Sequence, residues 1–224
     1  MNSEVMKKMD FEPLEFGYCS IQNIKPQYRE IDICGLVNKM KSKSRTMMNI
    51  PNEKCQLSAL IENPPKNNEC FKMISVGGGF SSLSIIAYIA ELETIDEMYV
   101  STFRIGKKHF QTLCRLKTKG QIGTCHFLTS QSQEKIDETM TYKGKKYNYY
   151  QYICKTCYEL GWKIKSFDNH SKLLLLKTPA NNYVIETSSN LNENPKMEQF
   201  SWENDRGLFD WYKKLFIELL SDQE

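Results

Sequence analysis

The chain has 224 residues, 40% of them hydrophobic and 25% charged, a balance that suits a folded core and excludes a disordered chain. Thirty basic against 27 acidic residues leave a net charge of +3, too mild to announce a polyanion partner but compatible with one where lysines cluster. No run approaches the roughly 18 apolar residues of a membrane span, and the opening MNSEVMKKMDFEPLEFGY has no leader-like apolar core, so a cytoplasmic protein without a membrane partner is expected.

In chain order, five of the seven prolines fall in the first 65 residues, among the polar runs NKMKSKSRTMMN and ENPPKNNE. Residues 1–69 therefore read as a loop-rich segment with at most short strands or helices. Its cluster Lys39, Lys41, Lys43 and Arg45 reads first as a solvated loop, with phosphate contact as the alternative. From residue 70 the texture changes. CFKMISV is strand-like, Gly77-Gly78-Gly79 turns the chain, and SSLSIIAYIAELE carries Leu83, Ile86, Ile89 and Leu92 as a helical stripe. EMYVSTF is a second strand, KKHFQTLCRLKTKG a basic helix closed by Gly120, and QIGTCHFLTS a third strand. Strand, helix, strand, helix, strand predicts an α/β unit with a parallel sheet.

The polar link QSQEKIDETMTYKGKKYN leads to the helix YYQYICKTCYELG, with Tyr149, Ile153, Cys157 and Leu160 on one face, and then to the strand GWKIKSF. LLLLK and NYVIET, joined by the turn TPANN, read as a hairpin whose leucines suit a strand buried on both faces. RGLFDWYKKLFIELL closes the chain as a helix with Leu208, Trp211, Leu215 and Leu219 at helical spacing.

Chemistry concentrates around that hairpin. Strand alternation would project His170 and Lys172 to one side and Ser171 to the other, and the hairpin would return Thr187-Ser188-Ser189-Asn190 to them. An imidazole, a fixed positive charge, hydroxyl and amide donors and the Glu198 carboxylate are the groups that attack on a phosphodiester needs. An exposed histidine beside a solvated lysine would explain the pair alone. The larger pattern is more specific: His170-Ser171-Lys172, then Thr187-Ser188-Ser189-Asn190, then Glu198, resembles the active-site motif of the phospholipase D superfamily, His-x-Lys followed by Gly-Ser-x-Asn and a downstream Glu.

This resemblance covers residues 150–216, with a looser fit over 71–130. It implies an α/β domain over 70–224 with a mixed, largely parallel sheet flanked by helices. It also implies that His170 is the nucleophile forming a phosphohistidine, that Lys172 clamps phosphate, that Ser188 and Asn190 hold phosphate oxygens, and that Glu198 orients a histidine. No metal or other cofactor is implied. Two positions depart from the pattern: Lys177 stands where the family often has Asp, and Thr187 replaces a glycine that would allow closer backbone approach. The family's reaction uses two histidines, yet neither His109 nor His126 begins a second His-x-Lys. A homodimer that brings two copies of His170 together is therefore expected.

The function expected from the resemblance is a phosphodiesterase acting on nucleic acid. The alternative is a catalytically silent protein of the same fold that binds nucleic acid or acts in assembly, with a lipid phosphodiesterase third. Other signals are weaker. The glycine triplet with Ser81-Ser82 reads as a capped turn before a phosphate site. Cys154-x-x-Cys157 reads as core packing before a metal site, with Cys114, Cys125 and His126 as the other candidate ligands. Without a short-spaced framework, most of the eight cysteines are expected to be packed thiols. Lys107, Lys108, Arg115, Lys117, Lys119, Lys143, Lys145 and Lys146 would suit a positive face for nucleic acid, though solvation alone accounts for most such lysines.

Overall fold

A computed structural model describes residues 39–42, 45–50, 57, 61–75, 80–139, 141–142, 145–146, 148–192 and 196–221, all within the unit Asp32–Glu224. The Gly77-Gly78-Gly79 turn, Lys43, Lys143 and residues 1–38 lie outside them, as do Cys55 and the side chains of Lys39, Lys41, Arg45, Lys145 and Lys146.

The elements are β1 (Lys39–Ser42), β2 (Arg45–Ile50), β3 (Cys70–Ser75), α1 (Ser82–Leu92), β4 (Ile95–Ser101), α2 (Lys107–Thr118) and β5 (Ile122–Ser130). They continue as α3 (Gln131–Thr139), a two-strand hairpin of β6 (Thr141–Tyr142) and β7 (Lys145–Lys146), α4 (Tyr149–Glu159), β8 (Lys163–Phe167), β9 (Leu173–Lys177), β10 (Asn182–Thr187), β11 (Glu198–Asn204) and α5 (Arg206–Ser221). Among the described residues nine strands form one sheet in the order β1-β2-β3-β11-β10-β9-β4-β5-β8. Strands thus extend the sheet on the N-terminal side of residue 70 as well.

The sheet is mixed, as expected, but largely parallel it is not: β2–β3, β4–β5 and β5–β8 pair parallel, and the other five neighbouring pairs are antiparallel. The cause is local. The 178–181 turn, closed by the Thr178 N–H to Asn181 O bond at 3.0 Å, is too short for a parallel crossover. β9, β10 and β11 therefore run back and forth between β4 and β3, and separate two strands that the βαβ reading would have placed together.

The LLLLK strand is buried on both faces because it sits mid-sheet. Leu174 and Leu176 join the core beneath α1, α2 and α4, whereas Leu173 and Leu175 join the smaller one beneath α5. Each buried leucine contributes about 1.5–3 kcal/mol relative to an exposed one. Trp202 on β11 anchors the larger core edge-on to Tyr88 and Tyr183. α2 ends as read: Gly120 adopts φ 73° and its N–H reaches Lys117 O at 2.9 Å, a left-handed cap that glycine alone adopts freely.

Several helical details differ from the sequence reading. α1 buries Ile85, Ile86 and Ile89 and leaves Leu92 52% exposed, because a strict three-residue spacing drifts round a helix of 3.6 residues per turn. α5 buries Phe209 and Phe216 and exposes Trp211 by 64%; the Phe216 ring packs 5.5 Å from that of Tyr99. The polar link contains α3, whose buried Gln133 accepts from the Ile105 amide at 2.9 Å and donates back to the Ile105 carbonyl at 3.2 Å.

Candidate active site

The connections 102–106, 168–172 and 188–192 leave the sheet at the C-terminal ends of β4, β8 and β10. This is the edge where ligand groups gather in open α/β sheets. Their backbones are tied together. Gly106 N–H donates to Leu191 O at 2.7 Å, and a Cβ at Gly106 would stand 3.0 Å from that of Asn192, so the approach favours glycine. The Thr187 N–H donates to the Lys172 carbonyl at 3.1 Å, which carries the hairpin one pair beyond β9 and joins the two halves of the motif.

His170, Ser171 and Lys172 precede β9 rather than lying in it, so strand alternation does not set their directions. A turn does. Asn169, 4% exposed, accepts from the Ser171 amide at 2.9 Å and hydroxyl at 2.8 Å, and donates to Ser101 Oγ at 2.9 Å and Leu128 O at 3.1 Å. His170 is exposed, with its ring 5.3 Å from that of Phe103. Lys172 Nζ lies 3.1 Å from His170 Nδ1 and donates to the His170 carbonyl at 2.6 Å. The expected juxtaposition of imidazole and ammonium is present, by a different local route.

Glu198, the first residue of β11, is 5% exposed and sits opposite Ser75 of β3. Its carboxylate accepts a short hydrogen bond from Ser188 Oγ, which in turn accepts the Gln199 amide at 3.0 Å. Burial lowers the pKa of the Lys172 ammonium, and the negative charge of Glu198 opposes that shift. A carboxylate, a hydroxyl and an ammonium thus form one electrostatic unit. Among the described residues, Asn190 Oδ1 is buried without a hydrogen-bond partner.

The two departures from the family pattern take structural work. Thr187 Oγ1 donates to Gln199 O at 2.7 Å and accepts the Ser189 amide at 2.9 Å, fastening the loop that carries Ser188 and Asn190. Lys177, at the other end of β9, pairs with Glu97 at 3.0 Å. Lys107 and Lys108 open α2 beside the candidate site, whereas Arg115 and Lys119 lie toward its far end, about 18 Å along a helix of that length. Burial raises the thiol pKa values of Cys154 and Cys157. Among the described residues no three His, Cys, Asp or Glu side chains are grouped to hold a metal ion.

Ser75, Ser101, Phe103 and Asn169 were not singled out by the sequence. Only Asn169 had a legible signal: an asparagine two places before a serine is an Asx-turn pattern.

No protein-family model and no curated protein matches the chain. Solved structures similar to it include a phospholipase D family member, Nuc, from Salmonella typhimurium, with 10% identity and a TM-score of 0.48 over 67% of this chain and 93% of that one. A polyphosphate kinase from Porphyromonas gingivalis has 12% identity and a TM-score of 0.48 over 70% of this chain but 24% of its own. A phosphatidylserine synthase from Haemophilus influenzae has 12% identity and a TM-score of 0.48 over 69% and 39% respectively. The chain therefore spans about a quarter of the polyphosphate kinase it matches. Each of these is a partial likeness at 10–12% identity.

Proposed function

We propose that the protein is a phosphodiesterase acting on nucleic acid through a phosphohistidine at His170. What supports this reading is the convergence of His170, Lys172, Ser188, Asn190 and Glu198 on one sheet edge, joined by the Thr187–Lys172 backbone bond. An imidazole nitrogen of His170 attacks phosphorus and the P–O bond to the leaving group breaks. A second imidazole protonates the departing oxygen. Water then cleaves the P–N bond, returning the histidine and releasing a phosphomonoester. Lys172 neutralises non-bridging oxygens, Ser188 and the Asn190 amide donate to them, and Glu198 holds a histidine in its reactive orientation. A bound phosphate would also supply the negative charge that the partly buried Lys172 favours.

The second imidazole is assigned to another copy of the chain. His109 is buried with Nε2 3.2 Å from Ser81 Oγ, and His126 lies on β5, where its Nδ1 accepts the Lys163 amide at 3.3 Å. Two copies of His170 facing each other across a two-fold axis complete the pair. Nucleic acid is preferred to lipid because Phe103, whose ring packs against that of His170, is followed in the sequence by Arg104, Lys107 and Lys108, a mixture of ring and charge suited to bases and phosphates. No helix among the described residues is long and apolar enough to cross a membrane.

The test is hydrolysis of single- and double-stranded DNA and RNA, and of a simple aryl phosphodiester, in EDTA, with mass measured by light scattering. Turnover by a dimer that is lost in His170→Ala supports the proposal. Binding without turnover, unchanged in His170→Ala, selects a silent nucleic-acid-binding protein instead.

A further inference from the structure

We infer that Asn169 is the positioning residue of this site: its side-chain amide, with Ser101 and Ser171, sets the direction of His170. The inference rests on His170 being the reacting group.

His170 lies outside β9, so no sheet ladder fixes its backbone. Asn169 takes over that task. Both hydrogens of its Nδ2 are used, toward Ser101 Oγ and Leu128 O, and its Oδ1 accepts twice from Ser171. The amide orientation follows from chemistry, since the Leu128 carbonyl can only accept and the Ser171 N–H can only donate. Ser171 Oγ also meets Ser101 Oγ at 2.5 Å, which closes a three-residue ring of hydrogen bonds.

Ser101 ends β4 and Leu128 belongs to β5, the two strands paired in parallel at the centre of the site edge. Asn169 therefore fastens the residues on either side of His170 to the paired strands β4 and β5, and His170 is left exposed with Phe103 against its ring. All four hydrogen-bonding positions of a buried amide are spent within 3.1 Å on one short turn. Without that amide, the His-x-Lys turn retains its sequence but loses the anchor that aims the imidazole.

The test uses Asn169→Ala and Ser101→Ala in the full chain. Ser101→Ala removes the two ring bonds that Ser101 Oγ makes, with little change in volume, so it serves if Asn169→Ala fails to fold. Two readouts are taken. The first is the imidazole spectrum of protein labelled at histidine, with His170 assigned by its loss in His170→Ala. The second is steady-state hydrolysis of an aryl phosphodiester. We expect the His170 signals to shift away from their Phe103-influenced positions and to broaden. We also expect kcat to fall about 10- to 100-fold with KM nearly constant, as misaimed reacting groups produce.

Variants that fold and keep both the wild-type His170 signals and the wild-type kcat overturn the inference. A loss confined to melting temperature, with both readouts intact, overturns it as well. If the wild type turns over no phosphodiester but the His170 signals move in the variants, the phosphodiesterase reading fails and the anchor stands.

Discussion

The Thr187 amide donates to the Lys172 carbonyl at 3.1 Å, so the end of β10 and the start of β9 are held together at the edge where the motif residues collect. β11 begins at that edge with Glu198, whose carboxylate accepts from Ser188 Oγ there.

Thr187→Gly supplies the glycine of the motif that the sequence resembles but removes two hydrogen bonds, to Gln199 O and from the Ser189 amide. It is expected to cost about 1–2 kcal/mol, from a lost staple and a freer unfolded chain, and to lower turnover. Thr187→Ser, which keeps the hydroxyl, is expected to stay near wild type. Chemical denaturation and initial rates measure both effects.

Glu198→Gln removes the negative charge that opposes the burial shift of Lys172. The Lys172 ammonium pKa is expected to fall further, as an NMR titration of the labelled amine would read. Under the proposed role of Glu198 in orienting a histidine, turnover should drop at least about tenfold. An unchanged Lys172 titration would count against the electrostatic unit drawn above.

Glu97 carries a stability prediction. Burial pushes its carboxyl up, but hydrogen bonds from Lys213, Lys177 and Tyr99 outweigh that and hold it at about 2 against an ordinary 4.5. A depressed carboxylate contributes stability that is fully present above its unfolded value and is lost as pH falls through the folded one. The window is therefore from about pH 4.5 down to pH 2, and the contribution about 1–2 kcal/mol after solvent screening. Glu97→Gln should flatten the acid limb of a melting-temperature profile. Lys177→Asp, which supplies the carboxylate of the resembled motif, should destabilise by setting two acids together on paired positions of β4 and β9.

Much of the candidate site was legible because its chemistry is carried by residue types at fixed spacing. His170, Lys172, Ser188, Asn190 and Glu198 can all be read from one segment. The fold was legible where apolar runs were long: Leu173–Leu176 require burial on both faces and receive it. Strand order was not legible, since β11 begins in a polar stretch and nothing local says that β9, β10 and β11 insert between β3 and β4. The role of Asn169 was hidden for the same reason. Its partners Ser101 and Leu128 lie far back in the sequence and meet it only through the sheet.

The most direct measurement is covalent trapping: mix the protein with a phosphodiester substrate, quench within the first turnover, and map the adduct by mass spectrometry under conditions that preserve phosphoramidates. A phosphoryl adduct on His170, absent in His170→Ala together with turnover, is the predicted result. Full turnover with no adduct at His170, or undiminished turnover in His170→Ala, would contradict the account.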